Sequence, residues 1–173
     1  MRILFFDIRD FTHSSEKMSP KDNFDFSNSY TRRMGPFIRK NKGFVDKYLG
    51  DGIMALFPNS PDDALQAAME MLKELANLNL SWKERKYEPI PIGIGLHTGT
   101  RMLGEIGEEE RMYGTAISDA VNLASRIEGL SKELYATILL SEGKYKKLHD
   151  KKKYSFNKLG KVTVKGKSKS SQV

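Results

Sequence analysis

The chain has 173 residues, 39% of them apolar, and a formal charge of +7. That length suits one domain with a core of its own. No apolar run approaches the roughly 18 residues of a membrane span, no secretory leader pattern opens the chain, and the lack of cysteine excludes disulfides and thiolate metal sites.

These features fit a cytoplasmic protein. The charge is unevenly spread, with eleven lysines between Lys144 and Lys169 and a nearly balanced first half. Such a run reads first as a solvated edge; contact with nucleic acid, a membrane surface or an anionic ligand is the alternative. The chain starts on strand-like residues and stops on Ser-Lys-Ser-Ser-Gln-Val. It is expected to be a domain excised from a longer protein.

In chain order, Arg2 to Asp7 is a short apolar strand. Ser19 can cap a helix and Pro20 suits its first position. Phe24, Tyr30, Met34, Phe37 and Ile38 give that helix an apolar face, with a kink expected at Pro36 and a stop at Gly43. "FVDKYL" and "GIMALF" read as two strands joined by Gly50-Asp51-Gly52. Ser60-Pro61-Asp62-Asp63 repeats the helix-start signal, and Leu65, Ala68, Met69, Leu72, Leu75 and Ala76 follow at helical spacing. "IPIGIGLHTG" alternates as a strand with its glycines on one face. "RMLGEIG" is another strand, and "ISDAVNLASRIEGL" is a third helix stopping near Gly129. "ATILLS" is a strand, "EGKYKKL" a short helix, and "YSFNKLGKVTVKG" a closing hairpin.

The fold class is therefore α+β. The first part has the β-α-β-β-α-β order of a ferredoxin-like core, with strands and helices appended. In that order the first strand lies between the third and fourth, antiparallel to the third. Asp7, ending the first strand, should then meet Asp51, starting the third.

Two carboxylates a few Å apart repel unless they share a proton, gain a basic neighbour or hold a cation. Oxygen ligands of this kind suit Mg²⁺ or Mn²⁺, with phosphate completing the shell. A bland alternative makes Asp7 a turn cap and Asp51 a hairpin residue. The glycines around Asp51 favour a ligand, because they let one approach the backbone. His13, His97 and His149 are isolated and read as surface or packing residues.

With these motifs in view, the chain resembles the catalytic domain of the class III nucleotidyl cyclases, the adenylyl and guanylyl cyclase family. "LFFDIRDFTHSSEKMSP", "KYLGDGIMALF", "IGIGLHTG", "GTAISDAVNLASRIE" and "LGKVTVKGK" carry the resemblance, in order, over nearly the whole chain. It implies that Asp7, Asp51 and the carbonyl of Ile8 bind two divalent cations. It implies that Lys47 and Thr115 read the purine, and both residue types point to ATP rather than GTP. Lysine can donate to the bare N1 of adenine but not to the N1–H of guanine. Asn122 would orient the ribose, Arg126 would stabilise the transition state, and Lys165 would hold the terminal phosphates.

The resemblance also implies a head-to-tail homodimer. One chain would supply Asp7 and Asp51, and the other Lys47, Thr115, Asn122, Arg126 and Lys165. The expected reaction is ATP to cyclic AMP and pyrophosphate, in the cytoplasm or in a cytoplasmic domain of a membrane-anchored or multidomain sensor. No membrane contact is expected from this domain itself, and nucleic acid ranks last among partners. Asp10 departs from the family, standing where a small residue, often glycine, is usual. Arg101 falls one residue late for a second arginine, so it is not carried over. Asp10, the displaced arginine and the altered tail make a catalytically impaired nucleotide-binding or dimerisation module the alternative.

Overall fold

The computed structural model describes residues 1–11, 15–16, 18–84, 89–99, 102–106, 113–117, 119–162 and 171–172. Its elements run β1 (Arg2–Ile8), α1 (Pro20–Lys40), β2 (Phe44–Leu49), β3 (Gly52–Phe57), α2 (Asp63–Glu84), β4 (Ile92–Thr98), β5 (Met102–Ile106), β6 (Tyr113–Ile117), α3 (Asp119–Glu133), β7 (Ile138–Leu140) and α4 (Glu142–Lys146). A 3-10 turn (Lys151–Lys153) and the strands β8 (Lys161–Val162) and β9 (Ser171–Gln172) follow.

Five strands form one sheet in the order β2-β3-β1-β4-β7. β1 is antiparallel to both β3 and β4, and β7 is parallel to β4. The ferredoxin-like order and the central place of β1 are as expected. β5 pairs only with β6, and β8 with β9, as two separate small sheets among the described residues.

Side chains alternate across the sheet as a period of two requires. Leu4, Phe6 and Ile8 of β1 join Ile53, Ala55 and Phe57 of β3 on the face covered by α1 and α2. Tyr30, Met34 and Ile38 of α1 and Met71, Leu75 and Leu78 of α2 close that core, each at most 4% exposed. Burying each such aliphatic side chain contributes about 1.5–3 kcal/mol, so this layer sets the frame. The opposite face is smaller: Ile3, Phe5, Met54 and Leu56 pack on Ala120 and Ala124 of α3.

The glycines of β4 let α3 approach. A Cβ on Gly95 would lie 2.3 Å from the Glu128 amide nitrogen, and one on Gly93 would lie 2.4 Å from Glu128 Oε1. The alternation seen in "GIG" is thus a groove for a helix.

The helix starts differ in one detail. Ser19 accepts from the Asp22 amide with Pro20 next, as expected. At α2 the Ser60 hydroxyl accepts from the Asp62 amide, and the Asp62 carbonyl begins the helical bonds, so Pro61 precedes the helix. The Asp62 carboxylate instead accepts from the His149 and Asp150 amides.

Several boundaries and faces correct the sequence reading. β1 extends one residue past Asp7. α1 contains Pro36 and ends at Lys40, before the expected stop at Gly43. Its end uses Lys42, not Gly43, in the left-handed conformation (φ 60°), with Gly43 N donating to the Ile38 carbonyl. Gly43 is needed for a different reason: a Cβ there would strike the Phe57 ring at 2.4 Å.

Phe24 and Met69, assigned to apolar helix faces, are 69% and 43% exposed, and Ala76 is exposed too. α3 runs past Gly129 to Glu133, and Ile117 belongs to β6 rather than to the helix. The stretch from 154 to 160 is not a hairpin arm. Lys144, first of the basic run, is fully buried and donates to the Pro61 carbonyl rather than lying on a solvated edge.

Candidate active site

β2 and β3 are joined by Gly50 and Asp51 alone, since Leu49 pairs with Gly52. Gly50 has φ 65°, the conformation a glycine supplies at the first position of a tight hairpin turn. Asp51 therefore sits at the second turn position, at the end of the sheet where β1 finishes. Phe6 pairs with Ile53 across β1 and β3, so Asp7 stands beside Gly52. A Cβ on Gly52 would come within 3.0 Å of Asp7 Oδ1, so the absent side chain leaves room for that carboxylate.

The two carboxyls lie close enough to act on each other. Asp7 is pushed up to about 7, by burial first, then by the charges of Asp51 and Glu128; the Ile8 amide acts weakly the other way. A carboxyl held this high means that both groups are not comfortably ionised together. Tyr30, 1% exposed and with no hydrogen-bond partner for its hydroxyl, lies close enough to feel both acids. Burial, then Asp7 and Asp51, hold its hydroxyl well above the ordinary tyrosine range.

Sequence reasoning missed Glu128, although its spacing gave a signal. It lies four residues after Ala124, which packs on the sheet, so it shares the inward side of α3. Burial raises its carboxyl, the Arg9 guanidinium opposes that, and Asp51 adds to it. Arg9, also missed, donates to the Ser131 carbonyl at 3.0 Å and the Ala136 carbonyl at 2.8 Å. It thereby ties the end of β1 to the C-terminal end of α3, where a cation suits the helix dipole.

Asn122 and Arg126 lie on α3, four apart and on one side, Asn122 exposed and Arg126 half-buried. Arg126 and Glu128 are two residues apart, about 200° around the helix. Since Glu128 turns toward Asp51 of its own chain, Arg126 turns away from it. Lys47 lies on β2 with its ammonium 3.9 Å from Asp46 Oδ2 and its side chain 37% exposed. Thr115 lies on β6, paired with Gly104 of β5. Lys165 and Arg101 lie outside the described residues. The structure thus brings Asp7 and Asp51 together at the end of Ile8's strand, and leaves Arg126 directed elsewhere.

Asp10 takes φ 57°, which explains why glycine is comfortable at that place. Its carboxylate is engaged by Lys132, so its added charge has a counter-ion. His97 Nδ1 is 2.7 Å from Ser141 Oγ and His149 Nδ1 is 3.3 Å from Asp62 Oδ2, both in packing or surface roles.

Among the described residues, no group of three or more His, Cys, Asp or Glu side chains is arranged to hold a metal ion. The acid pair nevertheless fits a divalent cation. Two hard oxygen donors are crowded at one strand end, and positive charge there would relieve the crowding that raises Asp7. An ion held this way takes its remaining ligands from water or phosphate.

The fold and the acid pair together place the chain in a class of ferredoxin-like α+β catalytic domains. The chain belongs to the adenylate and guanylate cyclase catalytic domain family, whose model matches residues 1–173. It is 43% identical over 176 residues to an adenylate cyclase of Anabaena cylindrica, covering 96% of this chain and 34% of that protein. It is 40% identical to the terminal-differentiation-specific adenylate cyclase of Dictyostelium discoideum, covering 96% of this chain and 8% of that protein. The chain therefore spans about a third or less of these curated relatives.

Its fold matches the crystal structure of the adenylyl cyclase CyaB from P. aeruginosa with a TM-score of 0.87 and 31% identity, over 99% of this chain and 90% of that one. A guanylyl cyclase crystal structure matches at a TM-score of 0.83 and 30% identity, over 99% and 88%. Fold likeness therefore spans both purine choices, and the choice must rest on side chains. No helix among the described residues is long and apolar enough to cross a membrane.

Proposed function

We propose that the chain converts ATP to 3′,5′-cyclic AMP and pyrophosphate at sites shared across a head-to-tail homodimer. The observation that supports this most is the contact of Asp7 with Asp51 at the sheet end. Two divalent cations, Mg²⁺ or Mn²⁺, held by Asp7, Asp51 and the Ile8 carbonyl, would supply charge neutralisation and acidify the ribose 3′-hydroxyl.

The chain's own groups do the rest. Asn122 orients the ribose, so that its 3′-oxygen lies in line with the α-phosphorus. A bond forms between that oxygen and phosphorus, the hydroxyl proton passing to water, while the bond to pyrophosphate breaks and its electron pair leaves with pyrophosphate. Arg126 holds the charge that grows on the phosphoryl oxygens, which a guanidinium suits by its fixed fork of donors. Lys165 binds the terminal phosphates. Lys47 donates to adenine N1, and Thr115 reads the same base edge.

The outward direction of Arg126, away from its own Asp51, supports division of the site between chains. The domain is proposed to act in the cytoplasm, within a longer regulated protein of the kind its curated relatives represent.

Complementation tests the shared site. Asp51→Ala and Arg126→Ala should each be inactive alone, because each homodimer carries two broken sites. Mixed, they should regain activity, because a heterodimer carries one intact site. Failure of the mixture, with heterodimers shown to form, would refute the shared site.

A further inference from the structure

β2 carries one irregularity. Val45 pairs with Ala55 and Lys47 with Met54, leaving Asp46 as an extra residue between them. A bulge of this kind shifts every later side chain by one position. In a regular strand Lys47 would share the face of Val45, which packs on the α1–α2 core. With the bulge it stands opposite Met54, whose side chain belongs to the α3 face. Asp7 follows Ile3 and Phe5 in the alternation of β1, and those residues belong to the α3 face as well.

The inserted residue is not a small filler. The Asp46 side chain is only 5% exposed, its Oδ2 makes no hydrogen bond, and Lys47 Nζ lies 3.9 Å from it. A buried carboxylate oxygen without a partner is unfavourable and uncommon. Consecutive residues of a regular strand point to opposite faces. Only the bulge lets these two charges approach from one side.

We propose that Asp46 is a positioning residue for Lys47: the bulge turns the lysine to the α3 face, and the buried carboxylate fixes its ammonium for the purine. This rests on the purine-reading role proposed for Lys47. An anchored ammonium presents one donor direction, which suits the bare N1 of adenine. A loosened one also reaches the O6 acceptor of guanine, so the anchor sharpens the choice of base.

The test is Asp46→Asn, which keeps the shape and removes the charge, with Asp46→Ser guarding against a folding defect in the first. Steady-state kinetics with ATP and GTP are compared with Kd values for nonreacting analogues of both. The expected result is a KM and Kd for ATP raised about tenfold and an ATP-over-GTP preference reduced about tenfold. The kcat with ATP should change less than about twofold, because no group touching the reacting atoms is altered. The melting temperature should change little, because the lost ion pair with Lys47 is offset by the removal of a buried charge.

ATP affinity and purine preference within twofold of the unaltered chain would overturn the proposal. Lys47→Ala, run in parallel, separates the two levels. If Lys47→Ala relaxes the preference and Asp46→Asn does not, the anchoring role alone is wrong. If Lys47→Ala also leaves the preference intact, the purine-reading role has failed and takes this inference with it.

Discussion

Asp7 and Asp51 act on each other at one end of the sheet although β1 and the β2–β3 turn that hold them are separated by the whole of α1. Asp7 is pushed up to about 7 from an ordinary 3.8, so the folded chain binds more protons than the unfolded one between those values. The strain is absent below pH 3.8 and fully present above pH 7, so this group's contribution to stability falls as pH rises. In chelator-treated protein, Asp7→Asn should match the unaltered chain near pH 4, exceed it increasingly up to about pH 7 and keep a constant lead above that. Added Mn²⁺ should raise the melting temperature of the unaltered chain at pH 8 and leave Asp7→Asn nearly unmoved. Thermal unfolding across pH, with and without metal, checks both.

Lys144 gives the opposite linkage. Burial, then Arg2, bring its ammonium down to about 8 from 10.5, with Asp62 and Asp63 opposing. The folded chain therefore binds fewer protons between those values. The penalty is complete below pH 8 and is lost as pH rises to 10.5. Lys144→Met removes a penalty of about 1–3 kcal/mol at pH 7 and leaves the Pro61 carbonyl without its donor, which costs about the same. The net change at pH 7 is thus small. The decisive reading is the trend: the unaltered chain should gain on Lys144→Met steadily from pH 8 to 10.5 in chemical denaturation.

Two glycines should respond in opposite directions. Gly95→Ala would drive a Cβ to 2.3 Å from the α3 backbone at Glu128. Backbone cannot yield there without moving the helix, so a loss of about 3 kcal/mol or more is expected. Gly129 sits inside α3 with nothing within 4 Å of its would-be Cβ. Gly129→Ala should stabilise the chain by about 0.5–1 kcal/mol. Urea midpoints of the two variants check the pair.

Purine choice should follow the base-reading side chains. Lys47→Glu combined with Thr115→Cys should lower ATP use at least about tenfold and admit GTP, because a carboxylate accepts from guanine N1–H. Product analysis with each nucleotide checks it.

The order of strands was legible because apolar runs, capping residues and loop lengths admit few arrangements, and that order alone places Asp7 beside Asp51. The acids were visible for the same reason. The bulge at Asp46 was not, since "FVDKYL" fits a regular strand and only pairing with Met54 and Ala55 reveals the extra residue. Gly129 misled because a glycine near a helix end usually stops it. The chain continues because Ile127 and Ser131 remain buried on either side of it. Glu128 stayed hidden because a lone acid on a helix reads as solvated, until Gly93 and Gly95 draw α3 onto the sheet. β6 was missed because five residues with two small ones give little periodicity.

The central claim is ATP cyclisation at a site two copies of the chain build together. Cyclic product should be measured from ATP and GTP side by side, with Mn²⁺ or Mg²⁺, across protein concentration. Cyclic AMP should form from ATP in clear excess over cyclic GMP from GTP, and specific activity should rise with concentration toward a plateau as dimers form. No cyclic AMP at concentrations where the chain is dimeric, or a specific activity independent of concentration in demonstrably monomeric protein, would contradict the account.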